Sequence, residues 1–516
     1  MNILYILLDQ IRKDMLGAYG HQIVKTPNID RLAKDGIRFN NAFTPASVCG
    51  PARTSLFTGL MPSTHGIIRN GEKGGTGEIA QSAPNIGKLE GYNTYVVGKW
   101  HVGTKSVPED YGIQGHNFDG YGYPGSGVYK NLVFNQPPTH SNRYKEWLEE
   151  KGYEIPEVSN AYFGDNPHLR VQELCGLLSG TKEQTIPYFI IDEAKKYIGQ
   201  SLAEGKPFFA WINFWGPHTP CIVPEPYYSM YSKEDVVLDE SFFKPLEGKP
   251  NHYRTISKMW GMWEASEDHW KEVITKFWGY ITLIDDAIGN LFAFLEEKGI
   301  YDSSFIVATA DHGDAMGAHR MIEKGEFMFD TTYNIPMIIK DPNSNRSNQQ
   351  DDNLVYLHDL TSTVYDLAEQ PIPTAFEGES ILPIVRENQD NQRKGVFDER
   401  DPHYHCNAKV LIEAELIRIT PEVSSTFFQH NPQMNLYLLQ ILADELREAE
   451  QRLAKSAYLR TLDRIIDSLD FFTQHFPDYN WTYREIAEYA GCETETAIRI
   501  VKALEQKGAF KRHKAK

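Results

Sequence analysis

Four short apolar segments of this chain each end at side chains that can bind a metal or move a proton. Continuous apolar runs of this length fit strands that are buried on both faces, as in a parallel sheet. In open α/β sheets, ligands bind beyond the carboxyl ends of the strands. The four segments therefore predict one shared site. They are residues 3–8 before Asp9 and Gln10, 95–98 before Lys99, 208–214 before His218, and 305–310 before Asp311 and His312.

The most specific short motif is the pentapeptide Cys49-Gly50-Pro51-Ala52-Arg53, of the form C-x-P-x-R. It resembles the active-site motif of the sulfatase family, which is part of the alkaline-phosphatase-like superfamily. In that family the cysteine is oxidised to formylglycine, and the hydrated aldehyde is the nucleophile. The resemblance implies that Cys49 is the precursor of the nucleophile and that a formylglycine-generating enzyme is a partner.

Further segments match the family in the same order along the chain, over about residues 1–340. One resembles the family's G-K-W-H-x-G motif, another its H-x-P segment, and a third its catalytic lysine segment. The matching segments are 7–10, 26–32, 98–103, 216–220, 309–314 and 323–325. This resemblance implies an alkaline-phosphatase-like α/β sandwich with a largely parallel central sheet flanked by helices, over residues 1–394.

The resemblance also implies a metal site formed by Asp9, Gln10, residue 49, Asp311 and His312. Carboxylates are hard oxygen ligands, which suit a divalent cation such as Ca²⁺. His312 adds an imidazole where many sulfatases have Asn, so Mn²⁺ and Mg²⁺ stay open beside Ca²⁺. The cation neutralises negative charge that develops as the ester bond breaks.

The remaining matched residues are expected to bind the substrate or to transfer protons. Arg53 would hold the nucleophile and the oxygens near the metal with its fixed set of donors. Lys99 and Lys324 would bind sulfate oxygens. His218 would protonate the leaving alcohol, and His101 would take a proton from the nucleophile to expel sulfate. Asn70 is a further candidate, as a donor to the substrate.

The predicted function is hydrolysis of a sulfate ester, either a small molecule or a saccharide. One alternative is a phosphonate monoester or phosphodiester hydrolase of the same superfamily, because Gln10 and His312 also occur in that branch. Sulfate monoesters, phosphodiesters and phosphonate monoesters each carry a single negative charge, so one site can accept all three. Lys99 and His101 together favour the sulfatase.

Residues 395–516 resemble the rear part of Crp/Fnr-type transcription regulators. Residues 395–430 resemble the last strands of a sensor β-roll, and residues 431–516 a long helix followed by a helix-turn-helix, with Thr482 as N-cap. This resemblance implies possible DNA binding. It also leaves a second alternative, a DNA-binding regulator with a catalytically silent sulfatase-like domain. A homo-oligomer is expected as well.

Composition excludes several classes of protein. The 516 residues contain 52 Lys and Arg against 70 Asp and Glu, a net charge of −18, so the chain is not a general binder of polyanions. The mean hydropathy is −0.46, and no apolar run approaches the ~18 residues of a membrane span. Five scattered cysteines indicate reduced thiols. With no signal peptide found, these features predict a cytoplasmic protein without membrane contact.

Overall fold

The computed structural model describes most of residues 1–393 and a few residues near the C-terminus. Statements below apply to these residues only. The predicted β-roll segment at 395–430 and most of the predicted helical module at 431–516 lie outside them. The chain divides into two units, Met1–Ile412 and Glu413–Lys516. The described residues are 1–68, 70, 85–102, 106–117, 143–162, 174–243, 246, 253, 258, 262–325, 327–391, 393, 465–466, 469, 482–483, 486, 498, 500–502 and 504–505.

An eight-stranded sheet forms the centre of the first unit, in the order β11-β2-β10-β9-β1-β7-β3-β4. Only β10 is antiparallel to its neighbours, which confirms the predicted largely parallel sheet. A second sheet, in the order β5-β6-β8, has three strands. The strands are β1 Ile3–Asp9, β2 Ile37–Phe43, β3 Asn93–Gly98, β4 Gln114–Asn117, β5 Val158–Tyr162, β6 Cys175–Leu178, β7 Phe208–Pro217, β8 Cys221–Pro224, β9 Phe305–Ala310, β10 Met337–Lys340 and β11 Gln349–Tyr356.

The central strands β1, β7 and β9 are buried along their whole length, so both faces of the sheet are covered there. The longest helix has Ser266 as N-cap, whose side chain accepts from the N–H of His269 at 3.3 Å. No described helix has the length and apolar character to cross a bilayer. The helices are α1 Pro27–Asp35, α2 Cys49–Thr58, α3 Pro62–His65, α4 Arg143–Lys151, α5 Ile186–Glu204, α6 Glu240–Phe243, α7 Glu267–Glu297, α8 Asp330–Tyr333, α9 Asp359–Leu367 and α10 Leu382–Glu387.

Register brings the carboxyl ends of four parallel strands to one edge of the sheet. Leu8 of β1 lies opposite Ala310 of β9, and Leu7 lies opposite Asn213 of β7. Asn213 in turn lies opposite Gly98, the last residue of β3. The polar residues that follow these strands therefore start from neighbouring positions, as the sequence predicts.

Candidate active site

Helix α2 begins at Cys49, and every residue from Cys49 to Thr58 is buried. Val48 precedes it in an extended conformation and makes no side-chain capping hydrogen bond. The unpaired N–H groups and the dipole of a helix N-terminus favour negative charge. Oδ1 of Asn70 accepts from the backbone N–H of Gly50 at 2.8 Å, which places this predicted donor beside the start of α2.

Cys49 lies in a buried cluster with Asp9, Asp311 and His312. Its Sγ is 3.0 Å from Nε2 of His312 and 3.8 Å from Oδ1 of Asp9. One ligand atom from each of the four side chains lies within 4.8 Å of the others, and all four residues are fully buried. The structure thus brings together four of the five predicted metal ligands.

These residues fit a divalent cation. Two carboxylates give hard oxygen donors, and His312 gives an imidazole nitrogen. Its Nδ1 lies 2.8 Å from the carbonyl oxygen of Gly313, so Nδ1 carries the proton and Nε2 faces the cluster as a possible ligand. A buried group of acids at this spacing is stable only with compensating positive charge.

Arg53 supplies part of that charge from the second turn of α2. Its Nε donates to Asp311 at 2.8 Å, one Nη to Asp9 at 2.9 Å, and the other Nη to the carbonyl oxygen of Lys99 at 2.8 Å. The guanidinium is fully buried. Its fork of donors therefore fixes the two carboxylates relative to each other.

Lys99 directly follows β3 and reaches the same carboxylate as Arg53. Its Nζ donates to Asp9 and lies 4.2 Å from the centre of the Trp215 ring. Burial acts to raise the pKa of Asp9, but Lys99 and Arg53 outweigh it and lower that pKa to about 2. Asp9 is thus ionised throughout the physiological pH range.

The cations also act on the thiol. Burial by itself would raise the pKa of Cys49, but the ammonium groups of Lys324 and Lys99 lower it well below its ordinary value. For His312, burial favours the neutral ring, yet Asp311 and Cys49 raise its pKa to about 9. Without a bound ion, the site is therefore a group of anions held among cations that include the His312 ring, and a metal ion that bound there would displace the proton from Nε2.

Gln10 lies beside this cluster and makes three hydrogen bonds. Its backbone N–H donates to Asp311 at 3.2 Å, and its Nε2 donates to Asp314. Its Oε1, the oxygen predicted to bind metal, accepts from Nζ of Lys324. The amide is thus fixed between an acid and an ammonium, next to the four clustered ligands.

Lys324 and His218 lie together on the side of the site formed by the end of β7. Nζ of Lys324 contacts Nε2 of His218, and Lys324 also pairs with Glu323 at 3.0 Å. Nδ1 of His218 lies 2.6 Å from the carbonyl oxygen of Thr219. The structure therefore joins the predicted general acid to the predicted catalytic lysine.

His101 follows Lys99 by two residues and has a φ of 51°. Its side chain forms a hydrogen bond with Cys49. Its Nδ1 is buried and has no hydrogen-bond partner among the described residues. Residues rarely adopt this backbone region without a reason, and such residues concentrate at functional sites.

Two buried acids in this site were not named as site residues from the sequence. Asp314 accepts from Gln10 and from the backbone N–H of Glu323 at 2.9 Å. Glu323 accepts from Lys324 and Thr219. Both residues lie inside segments that match the family's motifs, but only the tertiary structure shows which groups they contact.

Family models match most of the chain. A model described as Sulfatase matches residues 1–370, and one described as N-sulphoglucosamine sulphohydrolase, C-terminal, matches residues 317–449. The second match extends past the boundary predicted at residue 394 and through the predicted segment 395–430. The Crp/Fnr-type resemblance finds no counterpart among these matches.

Individual relatives agree with the first model. The chain is 27% identical to an arylsulfatase of Clostridium perfringens over 79% of this chain and 84% of that protein. It is 29% identical to the multifunctional alkaline phosphatase superfamily protein PehA of Trinickia caryophylli, over 78% and 81%. Its fold is similar to a phosphonate monoester hydrolase of Agrobacterium radiobacter, with a TM-score of 0.57 and 24% identity over 76% and 78%. The chain belongs to the sulfatase family, whose members hydrolyse sulfuric esters.

Proposed function

We propose that this chain hydrolyses sulfate monoesters at the site around residue 49, with formylglycine formed from Cys49 and one divalent cation, Ca²⁺ rather than Mg²⁺ or Mn²⁺. The observation that carries the proposal is the cluster of Asp9, Cys49, Asp311 and His312, with ligand atoms within 4.8 Å of one another. When present, the hydrated formylglycine supplies the attacking oxygen, and the cation stabilises negative charge on the sulfate oxygens.

The chain's own cations bind and orient the sulfate group. Lys99 and Lys324 direct ammonium groups toward the cluster from two sides, where both lower the pKa of Cys49. Arg53 donates to the carboxylates of Asp9 and Asp311, so it acts by holding these two side chains in place. Fixed positive charge at a buried site stabilises the transition state more than the same charge in water does.

Two histidines move the protons. His218, whose Nε2 contacts the ammonium group of Lys324, passes the proton between them to the bridging oxygen, which keeps the electron pair of the broken sulfur–oxygen bond and leaves as an alcohol. His101, hydrogen-bonded to residue 49, accepts the proton that must leave before sulfate is released. His218 thus acts on the leaving group and His101 on residue 49, as the sequence predicts.

Phosphonate monoester hydrolysis is the second candidate activity. Gln10 and His312 favour it, because both occur in that branch of the superfamily, and His312 lies 3.0 Å from the thiol of Cys49. A singly charged phosphonate monoester places the same charge in the site as a sulfate monoester does. The two activities therefore differ in their relative kcat/KM.

The decisive measurement compares kcat/KM for p-nitrophenyl sulfate and phenyl p-nitrophenyl phosphonate on one preparation of the full chain. We expect the sulfate to be preferred, since the ratio reports differential stabilisation of the two transition states. A clear preference for the phosphonate would assign the chain to the second activity. Mass spectrometry of the peptide around residue 49 shows whether the cysteine is converted.

Three further features are proposed from the sequence. These are a cytoplasmic location, a homo-oligomer, and DNA binding by a helix-turn-helix within residues 431–516. Binding to duplex DNA that weakens steeply with added salt would support the last of these. A silent catalytic domain, with DNA binding and no sulfatase turnover, is the outcome opposite to the proposed function.

A further inference from the structure

Glu323 is a fully buried carboxylate whose two oxygens bind two different parts of the active site. One oxygen accepts from Nζ of Lys324 at 3.0 Å. The other accepts from the hydroxyl of Thr219, the residue after His218. A buried carboxylate is costly without charge-assisted partners, and here those partners belong to the proton-transfer side of the site.

The backbone around Glu323 holds this carboxylate in place. Its N–H donates to Asp314 at 2.9 Å, and its carbonyl oxygen accepts from the N–H of Ala315 at 2.9 Å. Its φ is 70°, a region that a residue with a side chain adopts only when its surroundings require it. The loop from Asp314 to Glu323 is thus closed on itself, with the side chain directed into the site.

The contacts of His218 fix which nitrogen faces the substrate. Its Nδ1 lies 2.6 Å from the carbonyl oxygen of Thr219, and a carbonyl can only accept, so Nδ1 carries a proton. Its Nε2 is left facing Lys324. Nε2 therefore accepts from the ammonium group that Glu323 holds, and the proton for a leaving oxygen comes from this pair of Lys324 and His218.

We propose that Glu323 is a positioning residue that holds Lys324 and, through Thr219, His218 as one proton-donating unit at the leaving oxygen. This inference rests on the proposed sulfatase function. As the bond between sulfur and the bridging oxygen breaks, its electron pair stays on that oxygen, which takes the proton that lies between Nζ of Lys324 and Nε2 of His218 and leaves a neutral lysine and a neutral histidine. Glu323 touches neither the substrate nor the sulfate oxygens.

A positioning role differs in its kinetics from a purely structural one. General-acid assistance matters most for esters of weakly acidic alcohols and least for p-nitrophenyl sulfate, whose leaving group is stable as an anion. A structural defect lowers the concentration of active enzyme and so reduces the rates of all substrates by the same factor. The dependence of rate on the leaving group therefore separates the two roles.

The experiment measures kcat/KM of the full-length, metal-loaded enzyme across sulfate esters from p-nitrophenyl through phenyl to an alkyl sulfate. For Glu323→Gln we expect a loss of within about 3-fold on p-nitrophenyl sulfate and of about 10²-fold or more on the alkyl ester. The matched control is Glu193→Gln, another buried glutamate, 3% exposed, that pairs with Arg143 at 3.2 Å. Its losses should be equal for all substrates.

Thr219 provides a second test that leaves the carboxylate in place. Thr219→Val removes the hydroxyl that donates to Glu323 and should reproduce the larger loss on esters of weakly acidic alcohols. Thr219→Ser keeps a hydroxyl and should retain the wild-type rates. This pair decides the question if Glu323→Gln does not fold, as judged by circular dichroism. Equal losses across the series in Glu323→Gln, or in Thr219→Val, would overturn the proposal. A wild-type enzyme inactive on every sulfate ester would instead refute the proposed function.

Discussion

The Sγ of Cys49 lies 3.0 Å from Nε2 of His312, although 263 residues separate the two along the chain. Cys49 begins helix α2, and His312 follows the end of strand β9 by two residues. A helix N-terminus favours negative charge, and ligands of open α/β sheets bind beyond the carboxyl ends of the strands. Their meeting defines the centre of the site.

The first prediction concerns the nucleophile. Cys49→Ala should lower kcat on p-nitrophenyl sulfate by at least about 10³-fold, because removal of a nucleophile leaves only binding and electrostatic contributions. The unfolding midpoint should stay close to that of the wild type. Cys175→Ala, which removes another buried thiol, is the control and should keep its turnover. Near wild-type kcat in Cys49→Ala would rule out the formylglycine mechanism.

The second prediction concerns Arg53. Arg53→Lys keeps one positive charge but cannot reach Asp9, Asp311 and the carbonyl oxygen of Lys99 together. Residues that orient metal ligands usually contribute about 10- to 100-fold to metal affinity or activity, and we expect a loss of that size in both.

The matched control for Arg53 is Arg346→Lys. Arg346 pairs with Asp351 at 2.8 Å and is 11% exposed. Metal content by elemental analysis and turnover of p-nitrophenyl sulfate are measured on both variants. If Arg53→Lys retained full metal content and turnover, Arg53 would have no role in holding the ligands.

The third prediction concerns the metal. Dialysis against a chelator should remove most of the sulfatase turnover, and Ca²⁺ should restore it better than Mg²⁺ or Mn²⁺ does. A ligand that binds only the folded state at 100 times its Kd stabilises the fold by about 2.7 kcal/mol, so the same ion should raise the Tm. Asp311→Asn should abolish that rise. An unchanged Tm in the wild type at saturating concentrations of all three ions would contradict the predicted site.

The fourth prediction concerns the pH dependence of stability. His65 is buried beside α2, where its Nε2 lies 3.0 Å from Ser55 Oγ and its Nδ1 accepts from the N–H of Ile67 at 3.1 Å. Burial lowers the pKa of His65 to about 3, and it lowers that of His358 to about 4, from an ordinary value of 6.5. Neither ring takes up a proton in the folded state at mildly acidic pH.

Below pH 6.5 the unfolded chain therefore binds protons that the native state does not. The free energy of unfolding decreases as the pH is lowered from 6.5, down to about pH 4 for His358 and about pH 3 for His65. At pH 5 each histidine should lower the free energy of unfolding by about 2 kcal/mol relative to its value at pH 8. His65→Gln should lose correspondingly less stability than the wild type over this range, as measured by urea unfolding. The exposed His269, changed to Gln, is the control. Parallel curves for His65→Gln and the wild type would refute the assignment.

The elements that carry the site could be predicted because their signals are local. The apolar run 305–310 is strand β9 with the same bounds, and the run 3–8 is β1 except for its last residue. Helix α7 begins at Glu267, where the side chain of Ser266 caps its N-terminus. Burial of an apolar run is a property of neighbouring residues, so periodicity finds it.

The sequence by itself determined the largely parallel sheet, the strand ends that bear ligands, and the motif at Cys49. Only the tertiary structure decided that Gln10 directs its oxygen to Lys324, that Asn70 accepts from Gly50, and that Glu323 accepts from Lys324 and Thr219. Strand patterns arise from local hydrophobic periodicity, which can be read directly from the sequence. The partners of a buried polar group depend on which loops close around it, because each such group must find its hydrogen bonds across distant parts of the chain.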